Sequence, residues 1–166
     1  NFEKINQLTS SILNLNDSSF KCKLEMFDII GGQVAPTNFN LILFPLSQSF
    51  DEGVGRNVIS FSDLDACNFI TASYSNGANN IWNLSGANKE GTLDDAAIDV
   101  IVSGNLGDGD GTKGLGVTQN FVNGEENLSM DITTVVSATV AGVLPNHGFR
   151  LSFTGSEEID KKTRFV

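Results

Sequence analysis

A glycine-rich stretch in the second half of the chain carries carboxylates at alternate positions, in the segment Asp108–Gly111 (DGDG). Alternate carboxylates of this kind supply the hard oxygen ligands that Ca²⁺ prefers in proteins. The spacing departs from that of an EF-hand, which needs glycine at its sixth position and glutamate at its twelfth, because those positions hold Lys113 and Gln119. Asp108 and Asp110 are therefore candidate calcium ligands, and the alternative is a solvated connector.

Two aromatic residues, Tyr74 and Trp82, could contact a sugar. Aromatic faces pack well on pyranose rings, and many β-sandwich proteins bind carbohydrate in this way. Trp82 is the single tryptophan of the chain, and a single tryptophan in a sandwich also fits a place in the hydrophobic core. Both interpretations of Trp82 stay open at the level of sequence.

Groups that could support catalysis are few. His147 is the single histidine, and no serine lies in a G-x-S-x-G setting in which it could act with that histidine. The acid pairs at residues 51–52 and 94–95 could serve a glycosidase, which sets two carboxylates across a sugar bond, but adjacent acids on a loop are usually only solvated. The glycines of Gly104–Gly111 lack the lysine of a P-loop. We therefore predict neither enzymatic activity nor a nucleotide cofactor.

The chain is acidic, with 20 Asp and Glu against ten Lys and Arg and a formal net charge of −10. Phosphate backbones and anionic membranes are bound through cationic contacts, so neither nucleic acid nor a membrane is expected as a partner. The sequence also contains no apolar run of about 18 residues, the length that a membrane-spanning helix requires.

Short apolar segments alternate with turns that are rich in glycine and asparagine. Phe, Val, Ile and Leu dominate the apolar set, and 17 Gly against three Pro suits strands joined by many turns. Period-2 or continuous apolar patterns predict strands at residues 19–30, 39–46, 58–61, around 82, 98–102, 121–122, 128–132 and 149–153. In this alternation Asp99 is predicted to point outward.

Two segments have the features of short helices. The spacing of a capping box predicts a helix from Ser62 to about Ala72. Apolar residues at helical spacing within 132–140, followed by Gly142, predict a second helix. Residues 1–16 fit either a short helix or an edge strand. The predicted fold is all-β, an antiparallel β-sandwich (jelly roll) with one or two short helices.

The segment 128–153, LSMDITTVVSATVAGVLPNHGFRLSF, resembles the closing signature of DNRLRE-type domains. That signature has a strand ending in Asp-hydrophobic-Thr, a short helix, an Asn-x-Gly turn and a last strand, and residues 131–133 and 146–149 carry the match. Residues 41–53, LILFPLSQSFDEG, are similar to the same family's strand and aromatic-Asp-Glu-Gly corner, with Phe50 where the family usually has Trp. The resemblance implies a carbohydrate-binding-module-like jelly roll used as a structural or adhesive module, without an active site.

A second resemblance covers nearly the whole chain. The strings FPLSQSFDEGVGR (44–56), ACNFITAS (66–73) and SGAN (85–88) resemble virion structural proteins of large tailed phages, especially those that infect marine cyanobacteria. This resemblance implies a location in the virion, with other virion proteins and further copies of the chain as partners.

Together these observations predict a single β-sandwich domain over residues 1–166, with residues 1–15 and 159–166 as assembly contacts. The expected function is that of a non-catalytic structural component of a bacteriophage virion, in head decoration or in the neck, tail or fibre. The alternative is a carbohydrate-binding module for host-surface or extracellular glycans. No cofactor is expected apart from calcium at Asp108 and Asp110. The lack of an initiating methionine leaves open that the chain is a segment of a longer protein.

Overall fold

The computed structural model of the protein describes residues 4, 5, 7, 14, 15, 17–28, 36–53, 66–75 and 78–154. These residues form mostly short strands, with one eight-residue helix and helical backbone also at residues 4, 5 and 7. In chain order the elements are β1 (Lys23–Met26), β2 (Phe39–Pro45), β3 (Thr71–Ser75), β4 (Ala78–Ile81), β5 (Glu90–Thr92), β6 (Val100–Asn105), β7 (Thr112–Gly114), β8 (Val117–Phe121), β9 (Leu128–Asp131), α1 (Thr133–Val140) and β10 (Phe149–Phe153). The expected β class is confirmed.

The described strands form four small sheets, and none of these sheets closes into a barrel. Their strand orders are β1-β9, β10-β2-β8, β3-β4 and β5-β6-β7. The pairs β1–β9, β2–β8, β3–β4 and β6–β7 are antiparallel, whereas β5 and β6 are parallel. The expectation of purely antiparallel pairing is therefore corrected at β5–β6.

The connection between the parallel strands β5 and β6 is short and turns twice. A turn begins at Thr92, where the Asp95 N–H donates to the Thr92 carbonyl and the Thr92 N–H donates back to the Asp95 carboxylate. Ala97 then adopts a positive φ of 55°, which turns the chain again. The Val100 N–H finally bonds the Lys89 carbonyl, and this bond sets β6 beside β5 in the same direction.

Contacts within the chain define two compact units. Unit 1 comprises Asn1–Phe44, Leu115–Leu144 and Leu151–Val166, and unit 2 comprises Pro45–Gly114 and Pro145–Arg150. Each unit is built from segments that are distant in sequence. The single-domain organisation over residues 1–166 stays a prediction.

The core of unit 1 contains an aromatic cluster on the sheet β10-β2-β8. Phe39 and Phe121 are paired across β2 and β8, and their rings stack with centroids 4.9 Å apart. Phe153 of β10 meets the Phe39 ring edge-on at 5.2 Å. Stacked and edge-to-face rings add to the stabilisation from burial, so this cluster joins all three strands.

The helix α1 of unit 1 follows β9 as the sequence predicts. In β9, Leu128 and Met130 are buried while the intervening residues are exposed, which is the half-buried alternation expected of a strand. The Asp131 carboxylate accepts the Thr133 N–H at 2.9 Å and satisfies one free donor at the start of the helix. Gly142, with a φ of 77°, follows the last turn, so the prediction of this helix is confirmed.

The predicted helix from Ser62 to Ala72 is wrong over its described part, because residues 66–70 are not helical and Thr71 and Ala72 belong to β3. Residues 62–65 lie outside the described residues. The side chain of Asn68 explains the strand. Its Oδ1 atom accepts the N–H groups of Ile70 and Thr71, at 2.8 and 2.9 Å, and this local turn replaces helical bonds.

Several other sequence predictions are shifted in the structure. The predicted strand at 58–61 lies outside the described residues. The strand expected around Trp82 is β4, which ends one residue before it, at Ile81. The strands β5 and β7 were not predicted, and β7 lies within the glycine-rich stretch 104–116.

Candidate functional site

Trp82 lies in the interior of unit 2. Its side chain is only 8% exposed, and the indole Nε1–H donates to the Asn68 carbonyl at 2.9 Å. The Trp82 backbone N–H donates to the Ile70 carbonyl, also at 2.9 Å. Little of the indole ring reaches solvent, so this geometry matches the core interpretation of Trp82 better than a sugar platform.

Tyr74 lies on β3 and is partly exposed. Its hydroxyl accepts a hydrogen bond from Asn68 Nδ2 at 3.3 Å, and its backbone N–H donates to Asp51 Oδ2 at 2.6 Å. Asn68 therefore bonds both aromatic residues that the sequence selects, Tyr74 through its amide and Trp82 through its carbonyl. The contact of Tyr74 with a glycan stays a prediction.

The acidic loop places Lys113 against both candidate calcium ligands. The Lys113 Nζ forms ion pairs with Asp108 and with Asp110, the latter at 3.0 Å. Hydrogen bonding from Lys113 lowers the pKa of the Asp108 carboxyl, and hydrogen bonding to Asp108 raises the pKa of the Lys113 ammonium. In the described part of the chain no group of three metal-ligating side chains is assembled. Calcium at Asp108 and Asp110 stays a prediction, and it requires the displacement of Lys113.

In each acid pair considered for a glycosidase, one acid accepts hydrogen bonds that hold the fold. Asp51 accepts the Tyr74 N–H through its carboxylate, and its backbone carbonyl accepts the Cys67 N–H at 2.8 Å. The Asp95 carboxylate accepts both the N–H and the hydroxyl of Thr92, at 2.7 and 3.0 Å. These bonds, the backbone one first, lower the pKa of the Asp95 carboxyl. One carboxylate of each pair therefore has a structural partner.

His147 lies in the irregular segment before β10 and is partly buried. The next residue, Gly148, has a φ of 86°, and its carbonyl accepts the Leu46 N–H at 3.0 Å. Residues 145–148 contain no hydrogen-bonded turn, so of the predicted Asn-x-Gly turn only the positive φ of Gly148 is present.

Asp99 is the polar residue that the sequence interpretation missed. It was predicted to point outward, but it is 0% exposed. Its carboxylate accepts five hydrogen bonds, from Gln48 Nε2, Asn83 N–H, Asn83 Nδ2, Leu84 N–H and Lys89 N–H, at 2.7 to 3.1 Å. The donors satisfy a carboxylate that would otherwise be costly to bury, so the chain can turn Asp99 inward.

Arg150 holds the same loop from a distant part of the sequence. Its Nε–H donates to the Gly86 carbonyl at 2.9 Å, and its Nη2 group donates to Asn88 Oδ1. Asp99 and Arg150 together fix residues 83–89, which contain no regular secondary structure before Glu90. A single charged residue among apolar or uncharged neighbours is the only sequence feature that could have indicated that Asp99 or Arg150 fixes this loop.

Beside this loop, large apolar side chains are exposed. We define the neutral hairpin surface as Phe69, Ile70, Ile81 and Leu84, which are 60, 59, 62 and 52% exposed. The Phe69 ring packs against Gly86, where an added Cβ would lie 2.7 Å from Phe69 Cε2. Ile81 is in register with Thr71, the neighbour of Ile70. Backbone pairing therefore brings the two halves of this surface together.

Unit 1 also exposes apolar side chains. Met26 and Phe27, at the end of β1, are more than half exposed, and so is Val122 after β8. The terminal segments that the sequence selects as assembly contacts, residues 1–15 and 159–166, lie outside the described residues except for positions 4, 5, 7, 14 and 15. Their role stays a prediction.

Comparison of the chain with protein-family models, with curated proteins and with solved structures finds no match. Among the described helices, none has the length and apolar character needed to cross a bilayer.

Proposed function

We propose that this protein is a non-catalytic structural component of a bacteriophage virion and that it acts through protein–protein contacts. The observation that carries the proposal is the exposure of large apolar side chains next to backbone fixed by internal hydrogen bonds, above all at the neutral hairpin surface. Grouped apolar side chains of this kind mark interaction surfaces, because their burial against a neighbour is favourable.

The resemblance to virion structural proteins supports the location in the particle. The β-rich structure with short strands and one helix at 133–140 supports the finer arrangement that we propose, a jelly-roll β-sandwich. Within the particle the protein would decorate the head or form part of the neck, tail or fibre. Such components occur in symmetric, repeated copies.

The polar groups that could do chemistry support the non-catalytic part of the proposal. Asp51, Asp95 and Asp108 each accept structural hydrogen bonds, and the Trp82 N–H donates to backbone. Side chains that fix turns in this way are constrained by their own fold and contribute to its stability.

Mass spectrometry of purified phage particles tests the proposal. The copy number is measured relative to the major capsid protein, and an abundant host protein of similar mass serves as the control for contamination. On the order of hundreds of copies indicates head decoration, and about a dozen indicates the neck, tail or fibre. Absence of the protein, or an abundance equal to that of the contaminant, would overturn the proposal.

A second candidate is a carbohydrate-binding module, and the position of Tyr74 favours it. The Tyr74 ring is partly exposed within a segment rich in Asn and Ser, whose side chains can hydrogen-bond sugar hydroxyls. A glycan array with the wild-type protein and with Tyr74→Ala tests this function. Binding that is lost in the variant supports the module, and absence of binding by the wild-type protein contradicts it.

A further inference from the structure

The strand β1 of unit 1 lies at the edge of its sheet. Among the described strands it pairs only with β9. Lys23, Glu25 and Met26 of β1 are exposed, and Phe27, which follows the strand, is 72% exposed. The edge of a sheet is a template on which another strand can pair, because its outer N–H and carbonyl groups are directed away from the sheet.

The hydrogen bonds to β9 determine which backbone groups of β1 point outward. The Cys22 carbonyl accepts the Ile132 N–H at 2.9 Å, and the pairing continues in this register along β1. Backbone groups of successive residues alternate between the two edges of a strand, so the even-numbered residues of β1 direct theirs toward β9. The N–H and carbonyl groups of Lys23 and Glu25 therefore point to the outer edge.

The opposite edge of this sheet, on β9, already has partners. The Ser129 N–H donates to Gln119 Oε1 at 2.7 Å, and Gln119 Nε2 donates to the Asn127 carbonyl at 2.9 Å. A side chain of β8 thus takes up hydrogen bonds that a further strand would need. The outer edge of β1, by contrast, faces none of the described strands.

We propose that β1 binds β1 of a second copy of the chain in an antiparallel, two-fold symmetric pair. In this pair Lys23 of each copy lies opposite Glu25 of the other, and the two-fold axis passes between the two Leu24 residues. The inference rests on the proposed function, since it names one contact between copies in that assembly. A two-fold contact joins a surface to itself, so the surface must be complementary to its own charges.

Hydrogen bonding and charge together select this register. Only residues whose backbone groups point outward can form the hydrogen-bonded pairs of the new contact, so Lys23 and Glu25 must lie opposite such residues of the copy. An axis at Lys23 would place the two Lys23 side chains opposite each other, and an axis at Glu25 would do the same for Glu25. Like charges in direct opposition are destabilising, whereas the axis at Leu24 forms two ion pairs.

The proposed pair also covers apolar side chains. Leu24 is partly buried and lies on the other face of β1 from Lys23 and Glu25, and in this register it meets Leu24 of the copy. Met26, which is 52% exposed, meets Cys22 of the copy on the same face. A lysine alone on an edge strand opposes pairing, but a lysine and a glutamate two residues apart are complementary to their own copy.

The contact is expected to be weak in solution. Stable interfaces bury about 800 Å² per partner, and a strand of four residues offers much less than this area, so we expect a dimer Kd of about 100 µM. In a particle with repeated copies, the high effective concentration would saturate such a contact.

Sedimentation equilibrium of charge variants tests the inference. The wild-type chain is expected to dimerise, and Lys23→Glu and Glu25→Lys are each expected to raise the dimer Kd at least about tenfold, because each places like charges opposite one another. Glu25→Lys makes the chain less acidic, so general repulsion between acidic chains predicts the opposite result for this variant. An equimolar mixture of the two variants is expected to form a heterodimer at least as tight as the wild-type dimer, since residues 23 and 25 again carry opposite charges across the contact.

Glu125→Lys is the matched control, because Glu125 is an exposed glutamate of unit 1 outside β1. Its dimer Kd is expected to stay within about twofold of the wild type. Lys23 lies opposite Asp131 in β9, so Lys23→Gln replaces Lys23→Glu if the latter loses the native circular dichroism spectrum. A mixture of Lys23→Gln with Glu25→Lys is then expected to associate more tightly than either variant alone.

Three results would overturn the inference. The first is a wild-type chain that is monomeric at about 1 mM, well above the expected Kd. The second is a mixture of the two charge variants that associates no better than each variant alone. The third is equal weakening by Glu25→Lys and Glu125→Lys, which would mean that the contact does not involve β1.

The two proposals fail in different experiments. A chain that is present in the particle but monomeric in solution contradicts the dimer and leaves the virion function standing. A chain that dimerises through β1 but is absent from particles contradicts the virion function alone.

Discussion

The two units of the protein depend on different kinds of buried interaction. In unit 1, three phenylalanine rings from three strands form one cluster, with Phe39 in contact with both Phe121 and Phe153. In unit 2, the Asp99 carboxylate is fully buried and accepts five hydrogen bonds from side chains and backbone. The first arrangement is apolar packing between strands, and the second is polar bonding between Asp99, the residue before β6, and other loops.

The difference shows how unit 2 can present an irregular loop in a fixed conformation. Apolar packing has no preferred direction, so it stabilises strands without fixing individual loop atoms. Hydrogen bonds to a carboxylate are directional and strong, and here they fix N–H groups of the loop 83–89. Leu84 can therefore remain exposed on ordered backbone, which is what an interaction surface requires.

Asp99→Ala is expected to have the largest effect on stability. The substitution leaves buried donors without an acceptor, so we expect a loss of about 5 kcal/mol in the free energy of unfolding. Urea unfolding followed by the fluorescence of Trp82 measures this loss, since Trp82 is the single tryptophan and precedes Asn83, whose N–H bonds Asp99. Asp99→Asn, which keeps one acceptor oxygen, serves as a milder variant if the alanine variant does not fold.

Asp94→Ala is the matched control for this prediction, because Asp94 is an exposed acid a few residues away on the same connection. Its free energy of unfolding is expected to stay within about 0.5 kcal/mol of the wild type. A loss below about 1 kcal/mol for Asp99→Ala would mean that the carboxylate does not organise unit 2.

Phe39→Ala tests the aromatic cluster of unit 1. Removal of the central ring leaves a cavity and ends both ring contacts, so we expect a loss of about 3–4 kcal/mol in the free energy of unfolding. Phe39→Leu keeps most of the apolar volume and is expected to lose only about 1 kcal/mol. Thermal and urea unfolding measure both variants, and equal losses for alanine and leucine would contradict a role for packing volume at this position.

The elements of unit 1 could largely be predicted from the sequence. The alternation of Phe149, Leu151 and Phe153 predicts β10, and Gly142 predicts the end of α1. Both patterns are local, because burial on one face of an element repeats with the period of that element. The stacking partner of Phe39 was not predictable, since strand register depends on pairing between residues 39 and 121.

Unit 2 was predicted less well, because its polar bonds join residues that are distant in sequence. The outward prediction for Asp99 was wrong, since donors come from Gln48 and from the loop 83–89. Alternation along a strand assigns each side chain to one face of the sheet, but it does not show whether hydrogen-bond donors lie on that face. Likewise Asp108 and Asp110 were found as a pair, whereas the ion pairs with Lys113 required the fold of the loop.

Gly91→Ala tests how closely the backbone of unit 2 is packed at the parallel pair β5–β6. An added Cβ at Gly91 would overlap the Ile98 Cγ2 methyl group and lie 3.0 Å from Asp95 Oδ2. Because Ile98 is buried, we expect a loss of about 2 kcal/mol in the free energy of unfolding. Gly114→Ala, in the same sheet with open space around its Cβ position, is expected to be within about 0.5 kcal/mol of the wild type. Equal losses for the two variants would contradict close packing at Gly91.

The smallest effect is expected at Glu126, a surface carboxylate of unit 1. It accepts the backbone N–H groups of Val122, Asn123 and Gly124, at 2.8 to 2.9 Å. Backbone hydrogen bonding, from Asn123 first, holds the pKa of the Glu126 carboxyl below its ordinary value. A carboxyl whose folded-state pKa is lowered stabilises the fold above its unfolded-state pKa, and this stabilisation is lost as the pH falls through the folded-state pKa.

Glu126→Gln is therefore expected to lower the melting temperature at neutral pH and to differ less from the wild type below about pH 4. The glutamine keeps one acceptor oxygen, so the bond to Gly124 is the one it cannot reproduce. Glu125→Gln removes the same charge from the exposed neighbouring residue and controls for long-range electrostatics. If the difference from Glu125→Gln stays constant between about pH 7 and pH 3, the three backbone bonds do not depend on the ionised carboxylate. In that case the ionised carboxylate of Glu126 would contribute less to its own loop than the buried carboxylate of Asp99 contributes to the loop 83–89 of unit 2.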